Sequence, residues 1–293
     1  MTGPGRLFGI LWTAFDGFNR NDGSPMAGYI AFSGLLSLFP FLIFCATLTG
    51  ILLGPDESDR IIDALFEIAP QHVALTLEPV VSEVLNKQSG EVLTLSALFA
   101  IWVASNAVEA FRLAFDRAYA VDDPRNFFQN RALAISLVFL GAMVAVLLGV
   151  SIIFSPILLH LLRSVALVPI PPAAGYITYG FGIVVFLSFI LVMHRTLPGR
   201  SMRGTHLWPG ALTTTVLWVI LASGFTIYLS FTPTYTVTYG TLAGVIITLM
   251  FFYLTGATII YGAEVNAALD RTVREENARI LARSEMGATW RWD

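Results

Sequence analysis

Charged residues make up only 13% of this 293-residue chain while 56% are apolar, whereas soluble domains carry about 25% charge. A chain with so little charge has a surplus of apolar surface that needs lipid as its solvent. Cysteine is scarcer still. The single Cys45 excludes an intrachain disulfide and any cysteine metal cluster, and inside a long apolar run it reads as a small filler. Four histidines, His72, His160, His194 and His206, are scattered without metal-ligand spacing. Gly-rich phosphate loops and nucleophile elbows are missing. These gaps count against soluble-type enzyme chemistry and imply no cofactor. Basic charge is not in excess either: 17 Lys and Arg against 20 Asp and Glu give a net −3, so no electrostatic footprint for nucleic acid is expected. The alternating pattern of an outer-membrane barrel is also missing.

What the chain does have is long apolar runs. A helix needs roughly 20 predominantly apolar residues to cross about 30 Å of hydrocarbon. Six such runs span 28–53, 92–110, 132–161, 175–193, 207–231 and 240–263. The pattern predicts an all-α membrane protein: a six-transmembrane-helix bundle forming one domain over 1–293, with a cytoplasmic tail at 270–293. Ahead of the first run, Leu7, Phe8, Leu11, Phe15 and Phe18 recur near helical spacing beside Trp12, which predicts an amphipathic N-terminal interfacial helix. No removable signal peptide is expected, because Asp16, Asn19 and Arg20 interrupt the first apolar stretch. Between spans one and two, residues 55–91 are acidic and amphipathic. They predict an extracytoplasmic helical segment broken near Pro70, serving as a cap or as a lid. Span three overshoots a bilayer, so a tilt or a break at Pro156 is expected. Pro169, Pro171 and Pro172 mark a stiff external connector.

The arginines orient the spans, because loops rich in Lys and Arg stay in the cytoplasm. Arg6 and Arg20 precede span one; Arg112, Arg117, Arg125 and Arg131 lie between spans two and three; Arg195, Arg200 and Arg203 lie between four and five. Arg271, Arg274, Arg279, Arg283 and Arg291 follow span six, leaving Arg60, Lys87 and Arg163 opposite. The asymmetry makes the number of spans even and predicts both termini in the cytoplasm.

Polar groups inside apolar spans are costly and mark candidate sites. In span one these are Ser33, Ser37 and Pro40, where proline frees a helical carbonyl and predicts a kink. Span two ends in Glu109, Arg112, Asp116 and Arg117, whose i,i+3 and i,i+4 spacings pair opposite charges on one face. They read either as a salt-bridged helix end or as a substrate contact. Span six closes on Glu264 and Asn266; Glu264 needs a partner such as a loop arginine, or else acts as a proton- or cation-coupling carboxylate. If Ser33, Ser37 and Glu109 lined a common cavity, a transport path would follow. Gly28, Gly34, Gly240 and Gly244 read as helix-packing positions.

Leu36-Ser37-Leu38-Phe39-Pro40, Trp208-Pro209-Gly210-Ala211, Tyr239-Gly240 and Gly262-Ala263-Glu264-Val265-Asn266-Ala267, in this order and spacing, resemble the YihY/BrkB family of bacterial inner-membrane proteins. The likeness extends from about Trp12 to Leu269. Asp116, where many members have asparagine, and Phe251-Phe252-Tyr253, where tryptophan is common, depart from the pattern. The resemblance implies a six-helix inner-membrane protein with cytoplasmic termini. Members have carried the name ribonuclease BN, but a nuclease needs metal-binding side chains beside an RNA surface, and neither is visible in these residues. Serum resistance and movement of lipid-like molecules are the family's other suggested roles. The expectation is therefore a transporter or flippase for an amphipathic substrate, with membrane lipids as partners. A non-transporting envelope scaffold is the alternative.

Overall fold

The computed structural model describes residues 4–53, 90–165, 176–199, 207–231 and 242–289. All regular structure among them is helical: α1 Pro4–Arg20, α2 Gly23–Leu53, α3 Gly90–Tyr119, α4 Phe127–Val165, α5 Tyr176–Thr196, α6 Trp208–Ser230 and α7 Leu242–Thr289. Four stretches are long and apolar enough to cross a membrane, namely Leu98–Tyr119, Phe127–Ser151, Trp208–Ser230 and Ala243–Glu275, and Gly180–Thr196 is a shorter apolar helix. The expected segment 55–91 falls, except for its last two residues at the start of α3, outside the described residues, as do the prolines of 169–172 and Gly240.

The break allowed for at Pro156 is not there, since α4 runs through it, and α2 likewise continues through Pro40, where the sequence predicts a kink. One lost hydrogen bond is tolerable in a helix whose other backbone groups bond internally and whose surroundings offer no competing water. The charged tail is not a separate helix, since α7 continues from span six to Thr289; at about 1.5 Å per residue it is far longer than a bilayer is thick.

Two bends rest on left-handed residues. Asp22 (φ 57°) turns α1 into α2, and Ala120 (φ 50°) ends α3. Aspartate tolerates this region, whereas alanine there carries a steric cost of about 1 kcal/mol or more. Around Ala120 the terminal carbonyls are satisfied by Ala120 N–H to Arg117 O and Val121 N–H to Asp116 O.

α7 is the central element and packs on α1, α2, α3 and α6, while α2 lies along α3, and α4 and α5 complete the bundle. Small residues set the closest approaches. A Cβ on Gly262 would strike Thr214 and the Gly210 carbonyl, and one on Gly210 would strike Gly262 and Asn266. Gly256 faces Ile30 and Gly34 faces Phe252 in the same manner. Gly28 is a correction to the sequence reading: a Cβ there meets nothing within 4 Å, so it is not a packing glycine. The main core joins α3, α4, α5, α6 and α7 around Phe115, Leu137, Ile190, Leu197, Ala211 and Ile259. A second cluster seats α2 through Ala27 and Ile30 against Ala110, Ala114 and Ile260.

Candidate functional site at the polar end of the bundle

The buried charged groups Arg112 and Glu264, with His194 and Asn266, lie at the end of the bundle where α3 gives way to the loop 120–126, while Ser33, Ser37 and Thr248 are buried along the helices. The centre is Arg112. Its Nη1 donates to Asp116 Oδ2 at 2.7 Å and to Asp123 Oδ2 at 2.8 Å, its Nη2 reaches Glu109 Oε1 at 2.5 Å, and its Nε adds both Glu109 oxygens at 3.0 Å. Glu109 and Asp116 are there because i,i+3 and i,i+4 neighbours share a helix face. Asp123 arrives because the loop folds back along α3.

The loop is itself tied down. Arg125 donates from Nε and from its backbone N–H to Asp123 Oδ1, and from Nη1 and Nη2 to the carbonyls of Thr196 and Leu197 at the end of α5. Asp116 Oδ1 accepts the Gly199 N–H at 2.8 Å. Two arginines and three carboxylates thus lock the ends of α3 and α5 and the start of α4 together. Burial works to raise the Asp123 carboxyl, but hydrogen bonds from the Arg125 side chain and backbone, with the Arg125 charge, outweigh it and hold the group at about 2.

Glu264 forms a second group. It is fully buried on α7, where its Oε1 accepts Asn21 Nδ2 at 2.6 Å and its Oε2 lies 3.4 Å from Arg271 Nη2. α1 covers it from above, and a Cβ on Gly17 would collide with the carboxylate. Tyr261 adds a bond from its hydroxyl to the Leu11 carbonyl, so α1 is held along two turns of α7.

Asn266, two residues on and about 200° around α7 from Glu264, organises a third group. Its Oδ1 accepts the Gly210 N–H at 2.7 Å, and its Nδ2 lies 3.1 Å from Leu207 O, 3.1 Å from His194 Nδ1 and 3.4 Å from the Tyr119 hydroxyl. His194 is fully buried edge-on to Phe115, and its Nε2 has no partner.

The structure brings together Glu109, Arg112 and Asp116, and it sets Glu264 near Arg271, an arginine further along α7 and not one from a loop. It does not join Ser33 and Ser37 to Glu109. Ala110 and Ala114, which seat α2, lie about 200° around α3 from Arg112 and Asp116 at the helical pitch. Both serines are buried, and Ser37 spends its hydroxyl on the Val103 carbonyl in the α2–α3 seam; Pro40 lies one turn further along the same helix. Sequence reasoning missed Asn21, Tyr119, His194 and the roles of Asp123 and Arg125. Asp123-Pro124-Arg125 was visible as a charged turn, but nothing in a linear pattern said that it folds back onto Arg112.

The chain is similar over most of its length to several bacterial proteins. The ribonuclease-like protein YfkH of Bacillus subtilis is 29% identical over 276 residues, covering 89% of this chain and 95% of YfkH. A UPF0761 membrane protein of Aeromonas salmonicida is 28% identical over 289 residues, covering 94% and 93% of the two chains, and another from Alteromonas mediterranea is 24% identical over 269 residues, covering 86% and 84%. No solved structure matches. The family model described as Virulence factor BrkB matches residues 14–285. With helices apolar enough to span a bilayer and that match across nearly the whole sequence, the chain belongs to the BrkB family of membrane proteins.

Proposed function

We propose that this protein moves a lipid-like, amphipathic molecule across the bacterial inner membrane, as a six-span bundle with both termini in the cytoplasm and α1 lying in the membrane interface. The arginine asymmetry supports the orientation. The exposed face of α1, with Leu7, Phe8, Trp12 and Phe15, supports its place among lipid headgroups.

The observation that carries the transport reading is Glu264. A carboxylate buried in a span is costly unless well paired, and its pairing here is a 3.4 Å contact to Arg271 and one amide from Asn21 in the turn that follows α1. Such a group is poised to change partners when α1 moves. The test is flux of labelled phospholipids and amphipathic solutes through proteoliposomes holding the full chain. Transport above empty vesicles that falls with Glu264→Gln supports the reading, and a broad panel with no flux removes it.

The scaffold reading draws on a different observation: Arg112 spends its donors on carboxylates of its own helix and of the loop 120–126, and Ser37 spends its hydroxyl on the backbone of α3. For the ribonuclease-like name of the Bacillus relative, the reading is non-enzymatic. The three carboxylates that lie nearest one another are turned onto Arg112, and among the described residues no group of His, Cys, Asp and Glu could hold a metal ion.

A further inference from the structure

Arg131 differs from the other arginines of the polar end. Arg112 and Arg125 are bonded to carboxylates and Arg117 pairs with Asp22 at 2.8 Å. Arg131 has no carboxylate within ion-pair distance among the described residues. Its Nη1 donates to Asn106 Oδ1 at 2.9 Å, its Nη2 donates to Trp102 O at 2.7 Å, and the guanidinium lies 3.7 Å from the centre of the Trp102 ring. These contacts hold the fork rigidly in one plane without neutralising it. Of five N–H donors, two have protein partners and Nε is buried without one, which leaves two on the terminal nitrogens for a ligand.

The position says what that ligand is. Arg131 lies one turn into α4, near the start of the apolar stretch Phe127–Ser151 and beside Trp102 of the stretch Leu98–Tyr119. Beside the polar Asn106, Asn126 and Gln129, its surroundings on α3 and α4 expose large aromatic side chains: Trp102 is 50% exposed, Phe99 67%, Phe127 64% and Phe128 80%. A cation in such a ring sits where acyl chains give way to headgroups, and an unpaired guanidinium there calls for an anion with two acceptor oxygens side by side, which the non-bridging oxygens of a phosphodiester supply.

We propose that Arg131, set by Trp102 and Asn106, binds the phosphate of a membrane phospholipid whose chains lie along Phe99 and Phe128. The site lies apart from Glu264 and holds whether or not the protein transports. The ligand is a phosphodiester lipid rather than free phosphate, because the aromatic ring around the cation has no role for an ion without chains.

Native mass spectrometry of the full-length protein in detergent tests the assignment, with phosphatidylglycerol, phosphatidylethanolamine, diacylglycerol and inorganic phosphate as probes. Both phospholipids are retained above diacylglycerol, and Arg131→Gln lowers their retention by about tenfold or more, the loss of a charged hydrogen-bond pair. Arg131→Lys falls between, keeping the charge without the fork, and Arg117→Gln changes nothing. Equal retention of diacylglycerol, an unchanged Arg131→Gln, or an equal loss in Arg117→Gln overturns the site. Displacement of the lipid by millimolar inorganic phosphate assigns the site to a free anion and overturns the lipid. Should Arg131→Gln fail to fold, photo-crosslinking of phosphatidylglycerol to the unmodified protein decides: labelling concentrated in residues 98–106 and 127–139 supports the proposal, and labelling spread evenly over the spans refutes it.

Discussion

Asn266 on α7 caps a helix to which it does not belong: its side-chain oxygen accepts the Gly210 N–H of α6 at 2.7 Å, while its amide lies 3.1 Å from the carbonyl of Leu207. Leu207 stands at the N-cap of α6 and has no side-chain oxygen to do this itself. The first N–H groups of a helix need acceptors, and here a neighbouring helix supplies one. Asn266→Ala leaves the buried Gly210 N–H unmet, at about 1–3 kcal/mol, while the Leu207 carbonyl keeps the Ala211 N–H. The melting midpoint in detergent falls accordingly. Asn266→Asp keeps the acceptor for Gly210 but turns an acceptor on Leu207 O, so it is destabilised as well, and a midpoint equal to that of the unmodified chain argues against the cap.

Gly262→Ala is expected to separate α6 from α7, because the new methyl meets Thr214 and the Gly210 carbonyl, neither of which can withdraw far. Overpacking of this kind costs about 1–3 kcal/mol. Gly28→Ala is the matched control. Its methyl meets nothing within 4 Å, and alanine favours the helix by up to about 1 kcal/mol. Thermal unfolding of the two variants should therefore move in opposite directions.

Removing Arg112 with Arg112→Gln takes from Asp116 its ion-pair partner and leaves Asp123 only Arg125, both carboxylates having side chains only 11% and 8% exposed. Breaking a buried pair from one side costs about 3–5 kcal/mol. Asp116→Asn in the same chain should recover part of that loss, a coupling of about 0.5–3 kcal/mol. A double-mutant cycle that shows strict additivity would count against the shared cluster.

Asp123 gives a pH signature. Its carboxyl is held at about 2 in the folded chain, below its ordinary 3.8. A depressed carboxylate stabilises the fold fully above the unfolded value, and that contribution disappears as pH falls through the folded one. Asp123→Asn should accordingly be less stable than the unmodified chain above about pH 4, the difference closing as pH falls through the folded value of about 2. Unfolding midpoints of both proteins across this range provide the check.

The sequence by itself determined that the chain is helical and belongs in a membrane. Composition and run length suffice for that, because hydrocarbon admits only segments that satisfy their own backbone, and every residue of a run reports on it. The i,i+3 and i,i+4 spacing likewise placed Glu109 and Asp116 on Arg112, since a helix brings near neighbours together whatever the rest of the fold does. Only the tertiary structure decided the remainder: that Asp123 folds back onto Arg112, that Asn21 reaches Glu264 across 243 residues, that Asn266 caps α6, and that Ser37 bonds to the α3 backbone at Val103. Those relations depend on how helices rotate and slide against one another. That choice is set by a few glycine contacts such as Gly210 with Gly262 and by the turn of one loop, which periodicity does not record.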